Sequence, residues 1–262
     1  MGTISLPRVS NRSLQFAELL QKKYFGYGAL DDDVPVLSFV GRITEQKGVH
    51  LILDVAYDLI HRFNQKINIL IGGPANMADP YGARCAHRMY ELKAKFPHAF
   101  WAGPEEFFTD GTAVNLGSDF GLMPSAFEPG GIVQHEFFVA GTPVVAYKTG
   151  GLKDSVFEFL WFNDTGNGFN FERYDKGDFL ASLERAVGTF RNKEKYRKLR
   201  ENAFASTMDG SVVTKAWLGE FCRLRGKVFV DNEVVQETMA QLPALPKNFF
   251  NQKRAPLQDF FM

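Results

Sequence analysis

Residues 124–151 of this chain read Pro-Ser-Ala-Phe-Glu-Pro-Gly-Gly-Ile-Val-Gln-His-Glu (124–136), then Gly-Thr-Pro-Val-Val (141–145), then Thr-Gly-Gly (149–151). An apolar run, Phe120 to Met123, comes directly before this stretch, and a second run, Val144 to Tyr147, lies within it. Apolar strands that alternate with helices are typical of a parallel sheet covered on both faces. In such open sheets ligands bind beyond the carboxyl ends of the strands, where this stretch supplies two glutamates and several glycines.

The same alternation extends outward in both directions along the chain. Further predicted strands are Val36 to Val40, Ile67 to Ile71, Ala99 to Ala102 and Gly168 to Phe171. Helical periodicity fills the gaps between them, and helices are also predicted over about 178–190, 193–207 and 212–225. We therefore predict an α/β chain with a single Rossmann-like, doubly wound parallel sheet of about six strands and helices on both faces.

Three parts are predicted along the 262 residues. Residues 1–33 form a junction segment with a short helix, and residues 34–227 form the Rossmann-like domain. Residues 228–262 form a C-terminal tail, because this segment has scattered prolines and no sustained period.

The overall composition excludes some classes of partner. Thirty basic and thirty acidic residues give a formal net charge of zero, which argues against nucleic acid or an anionic membrane surface as the main partner. A local basic site for a small phosphate remains open. Cys85 and Cys222 lie far apart, which favours a reducing compartment and excludes an all-cysteine metal site. Because neither a secretory signal nor a membrane-spanning run is visible, we expect a cytoplasmic protein.

A predicted anion site follows the first strand. Gly41 permits a tight turn, and Arg42 and Lys47 then lie near the start of the next helix. Backbone amides, the helix dipole and two cations together attract an anion. The alternative is an ordinary solvated loop with surface charges.

A second predicted phosphate contact is Thr149-Gly150-Gly151, at the turn after the fifth strand. Adjacent glycines let a phosphate approach the backbone amides closely. The run lacks the Gly-x-Gly-x-x-Gly spacing of a dinucleotide site, and a plain turn is the alternative.

Glu128 and Glu136 form a pair of candidate site carboxylates. Paired carboxylates suggest a glycosidase, but such enzymes usually draw the two groups from separate strands, whereas these share one strand-turn-helix. We favour a division in which Glu128 faces a sugar and Glu136 accepts ribose hydroxyls. The alternative for Glu136 is an exposed helix residue without a ligand.

The motifs together resemble a known family. The segments 41–48 (Gly-Arg-Ile-Thr-Glu-Gln-Lys-Gly), 124–131, 141–145 and 149–152 are similar to the donor-binding half of glycogen and starch synthases. Those enzymes are retaining glycosyltransferases with two Rossmann-like halves, the GT-B architecture. The resemblance covers about residues 14–226 and keeps the motifs in order, so the chain is expected to be the C-terminal half of such a fold.

The resemblance implies transfer of glucose from UDP-glucose or ADP-glucose to the non-reducing end of an α-glucan, with retention. Arg42 and Lys47 would neutralise the departing diphosphate, and Glu128 would contact the donor glucose; these three are the implied catalytic residues. The implied donor-binding residues are Gly41, Gly130, Gly131, Ile132, Glu136, Thr149, Gly150 and Gly151. No metal and no other cofactor is implied. Apart from the polar break Asp31-Asp32-Asp33 before the first strand, the sequence has no Asp-x-Asp cluster.

The sequence also departs from the family's pattern. Gly130 stands where bacterial and plant enzymes usually have Cys, and the base-stacking aromatic has only Phe107 or Phe108 as a counterpart. The acceptor-binding N-terminal half has no counterpart before Val36, so the isolated chain is expected to be inactive without it. Two alternatives stay open: a retaining transferase with a lipid or small-sugar acceptor, and a non-catalytic nucleotide-sugar-binding module. A starch synthase would reside in a plastid.

Overall fold

The computed structural model describes residues 13–208, 213–214, 217–221 and 223–224. Strands and helices alternate along most of this part of the chain. The strands are β1 Val36–Val40, β2 Asn68–Gly72, β3 Phe100–Gly103, β4 Phe120–Met123, β5 Val144–Tyr147 and β6 Gly168–Phe171. The helices are α1 Leu14–Phe25, α2 Val49–Arg62, α3 Pro80–Lys95, α4 Gly111–Gly117, α5 Val133–Val139, α6 Gly150–Ser155, α7 Lys176–Arg191 and α8 Lys193–Ala205. A 3₁₀ turn, Glu45–Lys47, precedes α2.

All six strands lie in one parallel sheet of order β3-β2-β1-β4-β5-β6. The order reverses between β1 and β4, which makes the gap beyond their carboxyl ends the topological switch point. The predicted fold class is therefore confirmed. Four predicted strands have the observed bounds, and β2 and β3 are each shifted by one residue.

Alternate side chains of each strand enter different apolar clusters on the two faces of the sheet. Leu37 and Phe39 pack in a large cluster with residues of α2, α3 and α7. Val36 packs on the opposite face with Leu20 of α1 and Val114 of α4. Burial on both faces explains why the strands are apolar throughout and why they were recognisable in the sequence.

Helix α8 binds the start of β4 through buried polar groups. Arg200, only 1% exposed, donates hydrogen bonds to the carbonyls of Ser118 (3.3 Å) and Ala140 (3.0 Å). The carboxylate of Asp119 accepts one bond from the Val36 amide (2.8 Å) and another from the Tyr196 hydroxyl (2.6 Å). A helix late in the chain therefore fixes the two central strands.

The chain divides after Thr207 into two units, which are described separately. In the second unit, residues 213–214, 217–221 and 223–224 are helical, within the predicted helix at 212–225. Residues 1–12, Cys222 and the predicted tail lie outside the described residues. The predicted domain boundaries stay predictions.

Candidate functional site

The switch point brings the loop after β1 against the loop after β4. The amide of Ala126 donates to the carbonyl of Gln46 (2.8 Å), and the Gln46 side chain donates to the carbonyl of Phe127 (3.0 Å). Gly48 has a φ of +68°, and a Cβ there would lie 1.9 Å from the carbonyl oxygen of Pro124. Only glycine allows the two loops to approach this closely.

Lys47 and Glu128 meet across this contact. The Lys47 ammonium lies 2.5 Å from Oε2 of Glu128, and the hydroxyl of Ser125 donates to the same oxygen at 3.1 Å. Glu128 is only 8% exposed, so its charge is partly desolvated and the ion pair gains strength from low local polarity. The structure thus joins two residues that the sequence analysis had selected in separate motifs.

The loop after β4 also lies directly against the turn after β5. The amide of Gly151 donates to the carbonyl of Glu128 at 2.8 Å. A Cβ on Gly150 would lie 2.1 Å from that carbonyl oxygen, and one on Gly151 would lie 2.2 Å from the carbonyl oxygen of Gly130. The two predicted glycine segments are therefore packed backbone on backbone.

Some backbone amides of the loops after β4 and β5 donate hydrogen bonds to protein carbonyls, and others have no protein acceptor. Thr149 and Gly151 donate to protein carbonyls, which leaves the Gly150 amide as the free donor of that turn in the described structure. No described carbonyl accepts from the amides of Gly130, Gly131 or Ile132. The loop after β4 therefore offers three backbone donors to a ligand, and the turn after β5 offers one.

Two predicted site residues are exposed at the rim rather than joined to the pair. Arg42 and Glu136 form no hydrogen bond or ion pair through their side chains with any residue in the described ranges. Glu136 lies in the first turn of α5, which begins at Val133 as the strand-turn-helix pattern predicted. Both groups can reach a ligand without first breaking a protein contact.

Sequence reasoning missed two residues that support these loops. The Tyr174 hydroxyl donates to the carbonyl of Pro124 (3.1 Å), and burial raises its pKa to about 12, so it stays a donor at neutral pH. The buried Gln134 side chain donates to the carbonyl of Gly130 (3.1 Å) and to the Ser155 hydroxyl (3.3 Å). Gln134 lies inside the quoted stretch, whereas Tyr174 follows β6 and has no signal in the sequence.

The two candidate base-stacking aromatics differ in position. Phe108 is half-buried and packs against the rings of Tyr24 and Trp101. Phe107 is 49% exposed and remains available at the surface. Within the described part of the chain, no three His, Cys, Asp or Glu side chains are placed to hold a metal ion.

Comparison with known proteins assigns the family. The model of the family "Glycosyl transferases group 1" matches residues 21–206, more than half of the chain. The chain belongs to the group 1 glycosyltransferases. The resemblance stated from the motifs is thereby confirmed.

Curated relatives of this group 1 glycosyltransferase include bacterial glycogen synthases. That of Desulfitobacterium hafniense is 34% identical over 179 residues, covering 67% of this chain and 36% of the relative. That of Finegoldia magna is 32% identical over 192 residues, covering 73% of this chain and 39% of the relative. The chain thus contains a glycogen-synthase-like glycosyltransferase domain, and it spans well under half the length of these relatives.

Solved structures agree on the fold. The catalytic domain of starch synthase IV from Arabidopsis thaliana, bound to ADP and acarbose, superposes with a TM-score of 0.65 at 24% identity, covering 83% of this chain and 43% of that one. Anabaena Alr3699/HepE, in complex with UDP and glucose, gives a TM-score of 0.61 at 18% identity, covering 81% and 53%. The sheet thus corresponds to about half of a GT-B enzyme, as predicted. No helix in the described ranges is long and apolar enough to cross a membrane.

Proposed function

We propose that this glycosyltransferase is the donor-binding part of an α-glucan synthase. It would transfer glucose from UDP-glucose or ADP-glucose to the non-reducing end of an α-glucan, with retention at the anomeric carbon. The observation that carries this proposal is the Lys47–Glu128 pair at the switch point, with exposed Arg42 on the same loop as Lys47.

The proposed chemistry is stabilisation of charge at two places. When the bond from the glucose C1 to the diphosphate oxygen breaks, the electron pair leaves with the nucleoside diphosphate. Lys47, Arg42 and the Gly150 amide would stabilise that negative charge, and Glu128 would stabilise the positive charge that develops on the sugar. Because Glu128 already holds Lys47 at 2.5 Å, the ammonium needs little reorientation during the reaction.

The remaining donor contacts follow from the free groups. The amides of Gly130, Gly131 and Ile132 would hold sugar hydroxyls, because they have no protein acceptor in the described structure. Glu136 would accept the ribose hydroxyls, and exposed Phe107 is the aromatic left for the base. The cations and amides supply the positive field that a metal supplies elsewhere, so we propose donor binding without a divalent metal.

Relatives and neighbours support the substrate class. The curated relatives are named glycogen synthases, and the starch synthase IV neighbour binds ADP and acarbose. The HepE neighbour binds UDP and glucose, so the donor base here is proposed as either uracil or adenine. Because the chain spans only 36–39% of the relatives' length, we propose that acceptor contacts come from residues outside the matched region and that this chain alone transfers slowly. We further propose a cytoplasmic location.

Isothermal titration calorimetry with UDP, ADP and their glucose conjugates tests the proposal on the full chain. At least one diphosphate should bind, and EDTA should not change its affinity. Lys47→Ala should weaken that binding, whereas Lys66→Ala, at an exposed lysine away from these loops, should not. Neither heat nor a thermal shift with any of the four ligands would refute the proposal, and loss of binding in EDTA would refute its metal independence.

A further inference from the structure

A second surface lies beside the donor loops, at the edge of the sheet formed by β6. An open cavity of about 660 Å³ is lined by Lys148 and Lys153, by the chain around Phe157, and by residues after β6 and on α7. None of the predicted donor-site residues lines it. Lys148 directly precedes Thr149, so the cavity begins next to the proposed phosphate turn.

The cavity carries many charged side chains, yet their charges nearly cancel. Four basic and three acidic side chains line it. Two pairs are already neutralised, Lys148 with Glu172 at 2.6 Å and Arg185 with Glu158 at 2.8 Å. Such a lining offers hydrogen-bond donors and acceptors without the excess positive charge that a phosphate or a nucleic acid requires. It fits an uncharged ligand rich in hydroxyl groups.

Exposed aromatic side chains continue the surface along α7. Phe157 lines the cavity and is 56% exposed, and Trp161 is 46% exposed. The indole N–H of Trp161 donates to Oγ1 of Thr189 at 2.9 Å, which fixes the orientation of the ring. Thr189 lies one helical turn after Arg185, a cavity residue, so the indole lies about one turn of α7 beyond the cavity lining.

Exposed aromatic rings next to paired polar groups are suited to sugar rings. The apolar face of a pyranose packs on an aromatic ring, while its hydroxyls bond to charged and amide side chains at the rim. A protein partner would instead favour a drier patch with fewer charged groups. An isolated exposed aromatic needs no explanation, but two beside one cavity lined by charged groups indicate a binding surface.

We propose that this surface binds a segment of α-glucan chain, with Phe157 and Trp161 packing on glucose rings and the cavity's polar side chains bonding their hydroxyls. The choice of α-glucan among neutral polyols rests on the proposed function. A polymer held here would keep its chain ends at high local concentration near the donor loops.

Affinity electrophoresis in glycogen gels and calorimetry with maltoheptaose, both on the full chain, test this proposal. The unmodified chain should bind maltoheptaose, and Phe157→Ala or Trp161→Ala should each weaken binding by about tenfold, the size expected for losing one ring contact. Trp161→Phe should retain part of the affinity. Tyr57→Ala removes an aromatic of similar exposure on α2 and should have no effect.

The outcomes separate this proposal from the donor-site proposal. Phe157→Ala should leave UDP or ADP binding unchanged, which also shows that the variant is folded. Nucleotide binding without maltoheptaose binding would overturn the glucan surface alone, and the reverse would overturn the donor site alone. Equal weakening by Tyr57→Ala, displacement of maltoheptaose by inorganic phosphate, or unchanged binding in the Phe157→Ala/Trp161→Ala double variant would also overturn the glucan surface.

Discussion

Two ends of parallel strands in this domain carry close-packed glycines, and their neighbours differ. At the end of β2, a Cβ on Gly72 would lie 2.3 Å from the ring of Phe108, a side chain. After β5, a Cβ on Gly150 would lie 2.1 Å from the carbonyl oxygen of Glu128, which is backbone. A half-buried ring can move, whereas a carbonyl held in a loop cannot.

The difference separates a packing glycine from a glycine that builds a site. Beside Gly72 the ring of Phe108 fills the space. Phe108 packs in turn on Trp101 of β3, and the ammonium of Lys93 on α3 lies 4.5 Å from the centroid of the Trp101 ring. Beside Gly150 no side chain fills the space, and the neighbouring loop keeps its amides free. Glycine therefore has a packing role at the end of β2 and a site-forming role after β5, and the atoms next to it determine the role.

The largest effect is expected on turnover, when Lys47 is replaced by alanine and compared with Lys93→Ala as a control in enzyme that is active for transfer. Lys47→Ala should lower kcat about 10²–10³-fold, because it removes the charge that we propose stabilises the departing diphosphate in the transition state. Lys93→Ala removes a cation of α3 that lies over Trp101 of β3, two strands from β1, and should leave kcat nearly unchanged. Steady-state kinetics with both variants would check this. Near-normal turnover of Lys47→Ala would refute the assigned role.

The next effect concerns folding stability at the glycine after β5. Gly150→Ala should lower the free energy of unfolding by about 2–4 kcal/mol, because its φ of +43° disfavours a side chain and the methyl overlaps backbone. Gly188→Ala, at an exposed position in α7 with nothing within 4 Å, should instead raise it by about 1 kcal/mol. Urea unfolding measures both, and equal effects would contradict the assignment.

The smallest effect is expected at the packing glycine. Gly72→Ala should cost about 1 kcal/mol, because the Phe108 ring can swing away from the added methyl. In a double-mutant cycle with Phe108→Leu, the two changes should be coupled, since the smaller side chain leaves room for the methyl. A cost as large as that of Gly150→Ala would show that the two strand ends do not differ as described.

The strands could be predicted because each is buried on both faces and so reads as a continuous apolar run. No bounds were predicted for helix α4, Gly111–Gly117, because seven residues with a glycine at each end are too short to define a helical period. The glycine motifs identified the loops after β4 and β5 as candidate contacts for a sugar and a phosphate. They could not show which amides are already used, because the bond from Gly151 to Glu128 depends on the packing of two loops.

Contacts between residues far apart in the sequence were the second feature of the candidate site that could not be predicted. Lys47 and Glu128 are 81 residues apart, and Tyr174 lies 50 residues from Pro124. No local pattern fixes such contacts, since they follow from the strand order and from which carboxyl ends become neighbours. The resemblance to a known family assigned both charges to one site, but the direct ion pair between them is visible only in the structure.

The buried hydrogen bonds of Asp119, Tyr196 and Arg200, which join α8 to β1 and the start of β4, affect the order in which the fold assembles. β1 and β2, and likewise β4 and β5, are joined by single short crossovers, whereas the Val36–Asp119 bond closes 83 residues and Arg200 lies a further 82 residues beyond Ser118. Closing long segments costs more chain entropy and slows folding. We therefore expect the strand pairs β1–β2 and β4–β5 to form first and the pairing of β1 with β4 to form last. Because the loops after β1 and β4 meet only when these two strands pair, a nascent or refolding chain would become able to bind a ligand between them only in the final step.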